Sequence, residues 1–499
     1  MNINKLVEDF DKLEHEYQQL NRAQTIIGWD RRAMMPSAAV KSRSKTLGYF
    51  SGKSHYILTS PETMKILDKL TEAGDKLDKA AAARVRLFKR TADRMVKIPG
   101  EMFQKHTSLR IQSETAWERA KHANDWEGYR PYLEELVNIT KETVEIWGYE
   151  GSPYNALVSF SEEGMTSEKL EELFGGIKEG VVPLVKKIAE KDNFDDSFAK
   201  ASFPVDIQKK MNQELIGIIG FDLDRGRLAE SEHPFCTSFG CNDVRLTTHY
   251  YEDKFLQAFF ASMHEAGHGM YEQNIPEEYE FTMLGRGLTG GMHESSSRFW
   301  ENMVGRSLPF WNANLEFVRG YFPQQLKDID VMDMYRAVNK VEQSLIRMTA
   351  DELTYNLHIM LRVELEKDLF EGRAKVADLS EMWNEKIFEY MGIRPENDTV
   401  GILQDVQWPA GMFGYFPSYT LGNLYNAQYS AFMKRELDFD KLVENREYDK
   451  ILDWMRKNLY SYASLRTPSE TMTALTGEEV NAKYLVEYLT EKFTKLYGV

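Results

Sequence analysis

Apolar residues recur three and four positions apart over long stretches of the chain, the spacing that gives an α-helix one apolar face. The pattern predicts helices over Asn4–Gln24, Ala80–Lys97, Glu127–Trp147 and Ser167–Lys191. Breaks fall at Met35-Pro36-Ser37, Ile98-Pro99-Gly100 and Tyr149-Glu150-Gly151-Ser152-Pro153. From His233 the character changes. Asp243–Tyr251 is dense in β-branched and aromatic residues and follows Gly240, which predicts one short strand of a hairpin. A helix carrying Phe259–His268 comes next, then a glycine-rich loop (Gly285, Gly287, Gly290, Gly291) and a second helix from about Met292 to Gly305. One long helix is predicted over Val331–Glu371, stopped by Gly372. The glycine- and aromatic-rich stretch Gly401–Asn426 reads largely as loop, and helices resume to the C-terminus. No break has the length or low complexity of a linker, and no segment repeats. The expected fold is all-α with a small β insert, a single domain over 1–499. It comprises an N-terminal helical part (1–230), a middle part (231–430) and C-terminal helices (431–499).

Composition adds limits. With 42% hydrophobic residues there is ample material for a large core. A formal net charge of -16 argues against a nucleic-acid partner, since phosphate binding needs basic surface. The charged N-terminal segment Met1–Phe10 lacks the apolar stretch of a signal peptide, and no run of apolar residues is long enough to span a membrane. Cys236 and Cys241 are the two cysteines, read as free thiols, and so low a number points to a reducing cytoplasm.

Candidate chemistry concentrates in one helix. His264-Glu265-Ala266-Gly267-His268 places two imidazoles one turn apart on one face, within reach of a single metal ion. Glu265 beside them is suited to act on a water held by such a metal. Leu256 and Phe260 continue the histidine row, Phe255, Phe259 and Met263 form an apolar face, and Pro276 marks the end. The plain alternative is a core helix with two satisfied histidines. A catalytic site normally needs a third protein ligand. The Gly and third His of the long-motif zinc proteases are replaced by Tyr271 and Asn274, which excludes that class. The other common solution is a glutamate from a following helix, and Glu294, in His293-Glu294-Ser295-Ser296-Ser297-Arg298, fits it. Ser297 and Arg298 lie near enough to support it. His233, His249, His264, His268, His293 and His358, six of the ten histidines, cluster in this part of the chain.

Taken together, the ordered segments resemble the carboxypeptidase Taq family of zinc metallocarboxypeptidases. They are His233-Pro234-Phe235, Asp243–Thr247, His264–His268, His293–Arg298, Ile346–Asp351 and Gly401–Trp408. Trp29-Asp30, Met35-Pro36 and the tail Ala482–Leu485 are also similar to family sequences. Two positions depart from the pattern: Gln407 stands where the family usually has His, and His249 where arginine is common. A glutamine can hydrogen-bond but cannot shuttle a proton.

The resemblance implies a helical, saddle-shaped, zincin-like fold with a deep groove, usually dimeric. It also implies removal of single residues from the free C-termini of peptides with broad specificity. On that footing His264, His268 and Glu294 are the expected ligands of Zn2+, with Co2+ or Mn2+ as substitutes, and Glu265 is the expected base. The substrate's terminal carboxylate needs a cation, for which Arg347 is the first choice and Arg245 the second. Tyr415 or Tyr419 is suited to donate to the oxyanion, and Gln407 belongs to the same stretch. The competing readings are an endo-acting zinc oligopeptidase and an inactive peptide-binding relative.

Overall fold

Four helices open the chain in a computed structural model describing residues 2–499: α1 (Ile3–Ala33), α2 (Val40–Thr59), α3 (Pro61–Ala73) and α4 (Lys79–Lys97). They enclose a core of their own around Phe10, Tyr17, Leu67, Leu70 and Phe88, completed by Met283 and Leu284 from the distant glycine-rich loop. A polar link fixes that contact: buried Glu14 pairs with Arg84 and accepts the Met283 N–H at 2.7 Å. α1 runs nine residues past the predicted Gln24, to Ala33. Gly28 there is tolerated, and Arg31 and Arg32 suit the negative end of the helix dipole.

The next helices are α5 (Gly100–Ala123), α6 (Trp126–Trp147), α7 (Tyr154–Ser161), α8 (Ser167–Ala189) and α9 (Val205–Ile218). The helices expected at Ala80–Lys97, Glu127–Trp147 and Ser167–Lys191 begin within one residue of those positions because local chemistry sets their starts. Asp78, Asp125 and Thr166 each accept a backbone N–H three residues on and so start α4, α6 and α8. A three-stranded sheet follows, β1 (Gly226–Glu230), β2 (Phe235–Ser238) and β3 (Val244–Thr248), in the order β1-β3-β2. β2 and β3 form the expected antiparallel hairpin, with Phe235 opposite Thr247 and Ser238 opposite Val244. β1 is a parallel partner absent from the sequence reading. Arg227 and Glu230 interrupt its apolar residues, which hid the strand.

The sheet lies on α10 (Phe255–Gln273), whose Phe255, Phe259, Met263, Ala266 and Met270 are wholly buried. α11 (Gly290–Arg298) follows the glycine-rich loop and passes into a π-helical turn, Phe299–Gly305. The remainder is α12 (Leu308–Tyr321), α13 (Val331–Val338), α14 (Tyr355–Phe370), α15 (Leu379–Met391) and α16 (Pro417–Glu436). Four C-terminal helices close the chain: α17 (Phe439–Glu444), α18 (Tyr448–Asn458), α19 (Pro468–Thr476) and α20 (Lys483–Tyr497). Among the described residues no helix is long and apolar enough to cross a membrane.

One expectation is corrected. The predicted single helix Val331–Glu371 is two helices, α13 and α14, with an irregular segment between them that includes a short 3-10 turn at Arg347–Thr349. Side chains there take over the backbone groups a helix would use. Asp351 accepts from the N–H groups of Glu342, Leu353 and Thr354, and Gln404 accepts the Arg347 N–H at 2.9 Å. Gly401–Asn426 holds no α-helix as far as Phe416, and Pro417 at the first turn starts α16. Gly422 inside that helix is a packing choice, as the site below makes plain.

Candidate metal centre

α11 is wedged between α10 and α16, and two glycines permit the close approach. A Cβ at Gly267 would lie 2.6 Å from the Ser297 Cα, and one at Gly422 would lie 2.8 Å from the Glu294 Cβ. Side-chain carbons do not approach so closely, so these positions fix how deeply Glu294 is set between its neighbours. The result brings together His264 and His268 of α10 and Glu294 of α11, their candidate ligand atoms all within 4.8 Å of one another. Glu294 Oε2 is 3.4 Å from His268 Nε2 and 3.7 Å from His264 Nε2. A tetrahedral site with bonds of ~2.0–2.1 Å spaces its ligands by about 3.3 Å, so the residues fit a small divalent ion with minor adjustment.

The surroundings prepare these groups for that task. Glu301, on the π-helical turn, accepts from His264 Nδ1 at 2.9 Å, which leaves the Nε2 lone pair for a metal. Arg298 donates to both Glu294 (3.0 Å) and Glu301 (3.1 Å), and Arg306, one π turn on, donates to Glu301 at 3.2 Å. Burial would raise the Glu294 carboxyl, but His264, His268 and Arg298 outweigh it and hold it well below the usual range, as an anion. Burial, aided by neighbouring His293, pushes His268 down to about 3, so its imidazole is neutral at ordinary pH. His264 also feels burial, but Glu294 and Glu301 shift it upward overall. Burial raises Glu265 to about 7, against the pull of His264. A carboxyl balanced near neutrality is suited to taking up and returning a proton.

A second cluster adjoins the first. Arg347 is buried in the segment between α13 and α14, its Nε 2.9 Å and Nη2 2.8 Å from Asp405 Oδ1. Arg362 of α14, wholly buried, holds the other oxygen of Asp405 through Nε at 2.6 Å and lies over the Trp383 ring at 4.3 Å. Burial would raise Asp405, yet the two guanidiniums lower it to about 2. Two cations thus share one carboxylate. Glu366, one turn along α14, contacts neither: it accepts instead from Tyr154, Trp408 and Gly414. Arg347 also donates to the Tyr355 hydroxyl at 3.2 Å, and the Tyr355 ring carries Arg298 on its face at 4.3 Å. One tyrosine therefore joins Arg347 to the arginine that holds Glu294.

Tyr419, in the first turn of α16, lies 5.1 Å beneath the Arg347 guanidinium and accepts from Gln407 Nε2 at 3.1 Å. Tyr415 packs edge-on against it at 5.4 Å. Burial keeps both phenols protonated, hence donors. Arg347, Tyr419 and Gln407 are thus brought together, but Arg245 is not. Its guanidinium is bidentate to Asp243 and packs on Trp29 and Phe239, tying β3 to α1. Cys236 and Cys241 are free thiols.

Sequence reasoning missed Glu301, Asp405, Arg362 and Glu272. Glu301 was findable, since 294, 298 and 301 follow the i, i+4, i+7 row of one helical face. Glu272 likewise continues the row of His264 and His268. Asp405 carries no local signal, because its partners come from elsewhere in the chain.

The carboxypeptidase Taq (M32) metallopeptidase family matches residues 9–493 of this chain. The chain is 39% identical to carboxypeptidase 1 of Bacillus subtilis over 499 residues, covering 100% of each. It is 38% identical to thermostable carboxypeptidase 1 of Thermus thermophilus, covering 95% of each. Among solved structures, the M32 carboxypeptidase of Deinococcus radiodurans superimposes with a TM-score of 0.96 at 33% identity, covering 99% of this chain and 100% of that one. Trypanosoma cruzi metallocarboxypeptidase 1 gives 0.94 at 31% identity, covering 98% and 99%. The chain belongs to the carboxypeptidase Taq (M32) metallopeptidase family, hydrolases that act on peptide bonds.

Proposed function

We propose that the protein is a zinc-dependent carboxypeptidase that releases single residues from peptide C-termini with broad specificity. His264, His268 and Glu294 would hold the metal, with cobalt or manganese as possible substitutes. The observation that carries the reading is the buried Arg347–Asp405–Arg362 cluster beside that centre. Two buried guanidiniums on one carboxylate leave a positive charge in want of an anion, and a free α-carboxylate supplies it.

The chemistry follows from the residues. Held by His264, His268 and Glu294, zinc would ease deprotonation of the attacking water and polarise the scissile carbonyl. Arg347 binds the terminal carboxylate and so sets the last peptide bond at the reacting position. Glu265 takes the proton of the attacking water, then gives it to the departing amine. Tyr419 or Tyr415 donates to the carbonyl oxygen as it gains charge, helped by burial that keeps the donor protonated. Gln407 holds Tyr419 through its amide and adds no charge to the pocket. Free thiols and the absence of a membrane-spanning helix among the described residues agree with a cytoplasmic enzyme, and family likeness with a homodimer.

The test is a panel of peptides with free and amidated C-termini, product masses being read over time. Stepwise loss of single C-terminal residues from free-ended peptides only is expected. Rapid internal cleavage of amidated peptides would replace this reading with the endo-acting oligopeptidase.

A further inference from the structure

We propose that His293 is the positioning residue for His268, holding that imidazole by stacking where His264 is held by a hydrogen bond. The inference rests on the reading of His268 as a metal ligand. The two imidazoles differ in what stands behind them. His264 Nδ1 bonds to Glu301, whereas His268 Nδ1 is buried and meets no hydrogen-bonding protein group. His293 lies face to face with His268 instead, ring centroids 4.4 Å apart and planes 17° from parallel.

His293 is itself fixed on several sides. Its Nε2 bonds to Glu272 at 2.8 Å, and Glu272 also accepts the Gly287 N–H at 3.0 Å. Tyr271 lies nearly parallel to it at 5.4 Å and in turn stacks on Tyr460 at 4.8 Å, whose hydroxyl bonds to Ser296 of α11. Gly287 leaves room for the ring: a Cβ there would stand 2.4 Å from His293 Cδ2. The chain thus reserves the space behind His268 for a flat, anchored ring. A ligand imidazole must present Nε2 within roughly 10–20° of its productive direction. Without a bond at Nδ1, the stack on His293, with the edge-on His264 ring 4.9 Å away, resists rotation about the side chain. Partners that orient a ligand histidine typically change metal affinity by about 10- to 100-fold.

The experiment measures the zinc dissociation constant by competition with a chromophoric chelator, together with the visible absorption bands of the cobalt-loaded protein. The proteins are wild type, His293→Ala, His293→Phe and Gly287→Ala. His293→Ala should weaken zinc roughly tenfold or more and shift the cobalt bands. His293→Phe, which restores a flat ring, should return affinity to within about threefold of wild type. Gly287→Ala touches no candidate ligand but should weaken zinc by displacing His293, and it keeps the test open if His293→Ala does not fold. Wild-type affinity and cobalt bands in both His293→Ala and Gly287→Ala would overturn the inference, as would a His293→Phe protein no better than His293→Ala. Failure of the wild type to bind zinc is a separate outcome, and it would remove the metal reading itself.

Discussion

Arg347→Ala separates recognition of the chain end from general damage. The guanidinium is 5% exposed and already holds Asp405 and Tyr355, so the free part of its fork is oriented before any substrate arrives. Losing one side of a buried, charge-assisted pair costs about 2–5 kcal/mol, and about 3 kcal/mol within that range is on the order of a hundredfold in kcat/KM. Arg347→Lys should recover only part, because an ammonium cannot reproduce the planar fork. The fold should suffer less than the site, since Arg362 still balances Asp405 after the change. Rates normalised to folded protein and bound metal remove that contribution. The assay compares kcat/KM for a short peptide with a free C-terminus and for its C-terminal amide. Wild type should strongly prefer the free acid, and Arg347→Ala should lose most of that preference, with little change on the amide. A variant that slows both substrates equally, or keeps the wild-type preference for the acid, refutes the anchoring role.

Glu265→Gln should retain metal and lose most turnover, because an amide cannot accept the water proton; near wild-type rates would require another base. Exhaustive chelation should abolish activity and one equivalent of zinc per chain should restore it, whereas full activity in protein shown to be metal-free would end the metal mechanism. Glu301→Ala should weaken zinc binding by about 10- to 100-fold while the apo fold stays intact, as read by chelator competition and far-ultraviolet circular dichroism. His358 is wholly buried, and burial next to Arg362 depresses it from 6.5 to about 3. Because only the unfolded chain binds that proton between those values, stability is full above about pH 6.5 and declines as pH falls towards 3, by about 2 kcal/mol at pH 5. His358→Phe should therefore flatten the fall in melting temperature between pH 7 and pH 5, and an unchanged slope would show that His358 does not cause it.

What the sequence made legible follows from the range of the interactions involved. The helices at Lys79–Lys97, Trp126–Trp147 and Ser167–Ala189 were readable because their apolar period lies within the element and their caps, Asp78, Asp125 and Thr166, immediately precede it. The three candidate ligands were equally local, two on one turn and the third at the start of the next helix. Arg347 was expected inside a helix but lies in the irregular segment between two. No glycine or proline marks the break after Val338, and the groups that open it include Gln404, which bonds to the Arg347 backbone from 57 residues away in sequence. The same long-range link explains why Asp405, its neighbour, had no visible role, and why Gly422 looked like a loop residue although it admits Glu294. The placement of Arg347 is therefore a product of tertiary structure. Had Val331–Glu371 stayed one helix, the Arg347 backbone N–H would be spent inside it and could not meet Gln404. Breaking the helix forgoes several backbone hydrogen bonds, which Asp351, Gln404 and Ser344 largely replace, and in exchange the arginine is set beside Asp405 and Tyr355.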